Sequence, residues 1–338
     1  MIQRIPAKLK IAAILLLLIS TGMLAAQKKS NKSAKAAADL PDVIWRDPGD
    51  VASLDLIHGI GGVADAPDPN ATYTFIEEDM KGTSPKVRVK DEQGVEWKVK
   101  MGAEPQAETA ATRLLFAAGY FVDEDYYVAE IKVANLPSKL KRGQNFVFYG
   151  ALHNVRLEKK IKGQKDLGNW SWFKNPFIGT REFNGLRVMM SLLNNWDLKE
   201  VNNDIYEVDG EHRYVVADVG ATFGKTGDPL TRSKSDVKGF EKSKFIEGPE
   251  KGGYIDFVLH SRPPIFAAVN AGNYKERAEM EKITKHIPHD DARWLGGLLA
   301  RLTDEQIRDC FRSAGYNADE VEEYTSVIKD RIAALNAL

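Results

Sequence analysis

The sequence predicts an α+β chain of two lobes: a small β-rich lobe with one main helix, then a larger and mainly helical lobe. Three observations lead there. Residues 72 to 101 alternate apolar and polar side chains with the period of half-buried strands. Residues 105 to 118 change to a helical period. Toward the C-terminus, Thr303 with Gln306 and Asn317 with Glu320 stand at capping-box spacing, with Gly315 as a stop between two helices. A chain of 338 residues, 43% hydrophobic, suffices for one large or two modest packed domains. Its formal net charge of −1 gives no reason to expect a nucleic-acid partner.

The first segment, residues 1–26, places Arg4, Lys8 and Lys10 ahead of an apolar run from Ile11 to Ala26. That run is shorter than the roughly 20 residues of a spanning helix and ends in small residues, the layout of a cleaved signal peptide. An uncleaved anchor through residues 11–26 is the alternative. Both imply an exported protein, periplasmic or extracellular, either free or tethered to the membrane. A single cysteine, Cys310, permits no intramolecular disulfide. Residues 27–45 read as a flexible tether, residues 46–155 as the small lobe and residues 156–338 as the large one.

Within the small lobe, TYTFIEED, KVRVKD and VEWKVKM form an expected antiparallel meander through the turns KGTSP and EQG. Pro105 suits a first helical position, Ala107, Ala110, Ala111, Leu114, Leu115 and Ala118 make a stripe, and Gly119 closes the helix. YYVAEIKVA, holding Tyr126 and Tyr127, and NFVFYGALHNV return to strand character. In the large lobe Phe183, Leu186, Met190 and Leu193 repeat at helical spacing up to the stretch NNWDLKEVNN. The strands NDIYEV and RYVVADV follow, joined by a DGEH turn. Residues 221–253 show little periodicity, and a stretch of that length is usually functional or mobile.

Four stretches invite chemistry but read better as structure. In HIPHDD, His286, His289 and Asp290 suggest a metal, yet Asp290 or Asp291 stands where the next helix needs an N-cap. GIGGV, residues 59–63, lacks the strand and helix of a phosphate cradle and reads as a plain loop. Cys310 shares a helical stripe with Ile307, Phe311 and Ala314, and the aromatics of NWSWF, residues 169–173, read as core.

The chemistry lies elsewhere. Phosphoryl transfer needs a carboxylate to orient the attacking hydroxyl, metal ions on oxygen ligands, and a lysine on the donor phosphates. Protein kinases meet the first two needs with D-x-K-x-x-N and then D-F-G. Here Asp197, Lys199 and Asn202 hold that spacing, and Asp218-Val219-Gly220 follows one strand hairpin. The hairpin returns Asp218 beside Asn202, so two hard oxygen ligands face one cation. Lys98 and Lys100 share a face of VEWKVKM. Lys100 lies nearer the following helix, where Glu108 can pair with it; Lys98 is the substitute. The KGTSP turn could cover the phosphates with its backbone N–H groups.

The phrases NNWDLKEVNNDIY and RYVVADVGATFG resemble the protein-kinase-like superfamily. The likeness points to its exported divergent branches, the spore-coat CotH kinases and the secretory-pathway kinases of animals, and spans residues 72 to 224. It implies a two-lobed protein-kinase-like fold, with Asp197 as catalytic carboxylate and Lys199 in the same loop. It further implies Asn202 and Asp218 as metal ligands, and Lys100 with Glu108 positioning phosphates. The donor would be ATP or another nucleoside triphosphate with Mg²⁺ or Mn²⁺, the acceptor a protein or glycan hydroxyl. The chain departs from the pattern in three places. No G-x-G-x-x-G precedes the lysine strand, no A-P-E follows the DVG turn, and Glu108 comes only eight residues after Lys100. Nucleotidyl transfer on the same fold and a non-catalytic exported scaffold of kinase-like shape remain as alternatives.

Overall fold

The computed structural model describes residues 40–226, 232–259 and 270–338. The leader expected at residues 1–26 and residues 27–39 of the expected tether lie outside the described residues. Residues 40–45, expected to belong to the tether, are instead ordered, with Asp42–Val43 paired to His212–Arg213 and Ile44 buried in the core. No helix among the described residues is long and apolar enough to cross a membrane.

The two-lobed α+β architecture expected from the sequence is present. A short strand, β1 (Asp42–Val43), opens the chain. A strap of turns follows, and its Val51 carbonyl accepts from Gln306 Nε2 at 2.7 Å. GIGGV belongs to this strap and is more ordered than a plain loop: it forms a 3-10 turn at Gly59–Gly61 and starts a helical turn at Gly62–Asp65. Packing explains the order, because a Cβ on Gly59, at φ +72, would lie 2.5 Å from the Arg113 guanidinium.

The small lobe holds β2 (Thr72–Asp79), β3 (Lys86–Lys90), β4 (Glu96–Met101), helix α1 (Pro105–Ala117), β5 (Asp125–Ala134), β6 (Val147–Phe148) and β7 (Ala151–Lys159). The meander β2–β3–β4 is antiparallel, as the alternation predicts. The sheet then does something the alternation does not announce. β4 pairs with β7, β7 with β5, and β5 runs parallel to β2 over Thr72–Thr74, so the ladder closes on itself. Val87, Val89, Trp97, Val99, Leu152 and Leu157 fill its interior. Period-two alternation therefore turns Lys86, Arg88, Lys98 and Lys100 outward.

Helix α1 serves both lobes. Its Ala110, Ala111, Leu114 and Leu115 are buried in the large lobe's hydrophobic core, not in the barrel. Its opposite side meets the barrel through charge: Arg113 Nη1 lies 3.3 Å from Asp125 Oδ1, and Thr112 Oγ1 donates to the same oxygen at 2.8 Å. Gly119, at φ +85, ends the helix where a Cβ would meet the Arg46 carbonyl at 2.2 Å.

The large lobe comprises β8 (Lys165–Asn169), α2 (Arg181–Leu192), β9 (Asn203–Val208), β10 (Glu211–Val216), α3 (Val237–Lys242), β11 (Tyr254–Ile255), α4 (Ala271–Glu281), β12 (Ile287–Pro288), α5 (His289–Leu299), α6 (Asp304–Arg312) and α7 (Ala318–Asn336). Both expected capping boxes are formed, at Thr303 and Asn317. Trp170, Trp172 and Cys310 are core residues, whereas Phe173, also expected in the core, is half exposed. The acidic pair of HIPHDD does not cap its helix. Ile287–Pro288 pairs with Tyr254–Ile255 and runs straight into α5, so Pro288 is the N-cap and makes no side-chain bond. Asp290 and Asp291 fall in the first turn instead, where the helix dipole favours negative charge, and Asp291 accepts from Asn184 Nδ2 at 2.7 Å.

Candidate active site in the interlobe cleft

The loop carrying Asp197, Lys199 and Asn202 is positioned from the end of α2. The helix gives way to Asn194, in the left-handed region at φ 55, a conformation asparagine tolerates. Its side chain is fixed from both sides, accepting from Arg331 Nη1 at 2.7 Å and donating to the Gly224 carbonyl at 2.7 Å. Asp197 follows, its N–H bonded to Asn195 Oδ1 at 3.1 Å. Its carboxylate lies 2.8 Å from Lys199 Nζ and 3.7 Å from Arg277 Nη2 of α4.

Asn202 ties the loop to the hairpin. Its Nδ2 donates to the Asp197 carbonyl at 2.6 Å, and its own carbonyl accepts from the N–H groups of Ala217 and Asp218 at 3.0 and 3.2 Å. The β9–β10 register that returns Asp218 here is set by a two-residue turn, Asp209 at φ 53 and Gly210 at φ 78, whose twist suits a hairpin.

From the small lobe comes Lys100, buried, with Nζ 2.8 Å from Glu108 Oε2, 3.1 Å from Asp218 Oδ1 and 3.2 Å from Glu104 Oε2. Burial lowers its pKa, but Glu108, Asp218 and Glu104 outweigh this and hold it above the usual lysine value. Burial pushes the Glu108 carboxyl up to about 7, against the pull of Arg156 and Lys100. Glu104 is also driven upward by burial, but Lys100 and Lys234 outweigh this and hold it at about 2. The sequence motif thus brings Lys100, Glu108, Asn202 and Asp218 together, with Asp197 and Lys199 alongside. Lys98 does not join them: it sits 2.5 Å from Glu158.

Glu104, Glu108 and Asp218 each offer a carboxylate oxygen within 4.8 Å of the others. Asp218 keeps 42% of its side chain exposed, and Asn202 Oδ1 accepts no hydrogen bond from the described residues. This all-oxygen set fits a hard divalent cation such as Mg²⁺ or Mn²⁺. A cavity of about 640 Å³ between barrel and hairpin is lined by Lys98, Asp123, Glu158, Ile161, Tyr206 and Val215, and none of Lys100, Glu104, Glu108, Asn202 or Asp218 lines it. A sheet lysine, a helix glutamate, a D…N loop and a returning aspartate across one cleft make a kinase-like arrangement.

Several residues of the site escaped the motif. Glu104 precedes the helix at its N-cap and carries no signal beyond its place four residues after Lys100. Ser84, in the KGTSP turn, donates to Glu104 Oε2 at 2.8 Å, so the turn does reach the site. Its Gly82 carbonyl is held by Arg142 Nη1 at 2.8 Å. Arg156 binds Glu108 at 3.2 Å and Asp125 at 3.3 Å; alternation along HNVRLEK puts it on Glu158's face, the one readable hint.

No protein-family model matches the chain, and no curated protein matches it in sequence. Among solved structures it is similar to the Helicobacter pylori proinflammatory kinase CtkA, at 12% identity and a TM-score of 0.44, over 78% of this chain and 96% of that one. It is also similar to the Golgi casein kinase, at 9% identity and a TM-score of 0.32, over 79% of this chain and 75% of that one. The same kinase with Mn/ADP bound gives 10% identity and a TM-score of 0.31, again over 79% and 75%.

Proposed function

We propose that the cleft binds a nucleoside triphosphate together with a divalent cation and transfers the terminal phosphoryl group to a protein or glycan hydroxyl. The observation that carries this reading is the buried Lys100, held charged by Glu108 of its own lobe and by Asp218 of the other at 2.8 and 3.1 Å. Burying a charge is costly unless it is paired, and a fold needing only stability would do as well with apolar residues there. Export to the periplasm or extracellular space rests on the basic and apolar pattern of residues 1–26.

In this reading the acceptor oxygen bonds to the terminal phosphorus, its proton passes to the Asp197 carboxylate, and the bond from that phosphorus to the bridging oxygen breaks. A nucleoside diphosphate leaves. Lys199, 2.8 Å from Asp197, keeps that carboxylate oriented toward the acceptor side. Lys100 orients the donor phosphates, and Glu108 keeps Lys100 aimed. A cation held by Asp218 and Asn202 Oδ1 would neutralise charge on those phosphates.

The test is label transfer from ATP carrying the label at the α- or the γ-phosphate, in wild type and Asp197→Ala. Transfer of the γ label by wild type, reduced about 10²–10⁴-fold in Asp197→Ala, is expected for a lost proton acceptor. Transfer of the α label would mean nucleotidyl transfer instead. No transfer of either label, even with ATP bound, would mark a scaffold.

A further inference from the structure

The outer surface of β3 and β4 carries five cations, Lys86, Arg88, Lys90, Lys98 and Lys100, because side chains alternate along a strand and residues directly opposite in an antiparallel pair share a face. Lys86 stands opposite Lys100, and Arg88 opposite Lys98. Three of the five are neutralised within the protein, and Lys90 stands exposed at the far end of β3. Lys100 meets three carboxylates within 3.2 Å. Lys98 lies 2.5 Å from Glu158, and Arg88 reaches Glu77 at 2.7 Å and Glu96 at 3.2 Å. The Lys86 ammonium makes no ion pair or hydrogen bond with any described residue, although its backbone is paired on both sides in the sheet.

Lys86 is nevertheless half-buried, with its ammonium beneath the Lys81–Pro85 turn: a Cβ on Gly82 would stand 3.5 Å from Nζ. Burial lowers its pKa, only partly offset by Asp79, and the neighbouring charges of Lys98 and Lys100 lower it further. A cation in such a place is waiting for an anion. Charge balance says which kind. Three carboxylates surround Lys100, so Lys100 brings no net positive charge to an incoming triphosphate. Lys86 does, from the facing strand.

Resting on the phosphotransferase reading above, we propose that Lys86 is a second phosphate-binding lysine of this cleft, donating from beneath the Lys81–Pro85 turn to the phosphate oxygens of a bound nucleoside triphosphate. A charge-assisted contact of this kind, removed, weakens binding about 10- to 100-fold.

The experiment is calorimetric binding of ATP and of adenosine, each with Mn²⁺, to the full chain as wild type, Lys86→Ala and Lys86→Arg. Because Lys86 has no internal partner, Lys86→Ala should melt at the wild-type temperature. It should bind ATP about 10- to 100-fold more weakly and adenosine unchanged, while Lys86→Arg keeps most of the ATP affinity. Unchanged ATP binding in Lys86→Ala, or an equal loss for ATP and adenosine, overturns the role of Lys86 and leaves the nucleotide reading standing. Failure of wild type to bind ATP overturns both.

Discussion

Lys100 of the small lobe and Asp218 of the large lobe meet at 3.1 Å although 118 residues separate them. Their contact closes the cleft at one point. It also places the lysine within reach of both the helix glutamate and the hairpin aspartate. Everything proposed for the cleft depends on that junction being occupied by these charges.

The pairing behind it should be visible in stability. Lys100→Met leaves the buried Glu108 with Arg156 as its remaining ionic partner, at 3.2 Å. Breaking a buried pair from one side typically costs about 3–5 kcal/mol. Chemical denaturation should show a loss of that order, and adding Glu108→Leu should restore part of it. If Lys100→Met and Glu108→Leu were simply additive, the two side chains would not be coupled.

The two glutamates flanking Lys100 predict opposite pH dependences. Glu104, held at about 2 against an ordinary 4.5, contributes stability that is fully present above pH 4.5 and lost as pH falls toward 2. Glu108, raised to about 7 from 4.5, binds a proton more tightly folded than unfolded, so its contribution declines as pH rises through that window. Melting temperatures across pH 2–8 (about this span) should show Glu104→Gln with less acid sensitivity than wild type. Glu108→Gln should lack the decline between 4.5 and 7. Curves parallel to wild type in both variants would contradict these assignments.

Gly315 joins two helices of the large lobe to a strand of the small one. It sits at φ +73, and an added Cβ would fall 2.1 Å from Tyr127 Cε1 of β5. Gly315→Ala should therefore lose about 2 kcal/mol or more, strain and overpacking together. Gly94→Ala is the comparison: φ is +86 but nothing lies within 4 Å, so only the backbone cost of about 1 kcal/mol applies. Equal losses in urea titrations would mean the Gly315–Tyr127 contact is not tight.

Local chemistry made much of this legible. Alternation in VEWKVKM put Lys100 on the outer face, Pro105 and Gly119 bracketed α1, and the Asp209-Gly210 turn fixed the register that returns Asp218 to Asn202. What escaped was long-range pairing. The parallel contact of β5 with β2 that closes the barrel leaves no local mark on either strand. Neither does the β11–β12 bridge, which is why Asp290 and Asp291 looked like caps. Arg277, 81 residues beyond Trp196 and bonded to its carbonyl, holds the Asp197 loop from an element whose sequence names no partner. The apolar stripe of α1 was plain, but its allegiance to the large lobe was not.

The central claim, that Asp218 completes a metal-dependent nucleotide site, is tested most directly by thermal melting with ATP and Mn²⁺ together and each alone, for wild type beside Asp218→Ala. A ligand that binds only the native state raises the melting temperature by mass action. Wild type should show a rise that needs both ATP and Mn²⁺ and disappears in Asp218→Ala. No rise in wild type, or the same rise in both proteins, would contradict it.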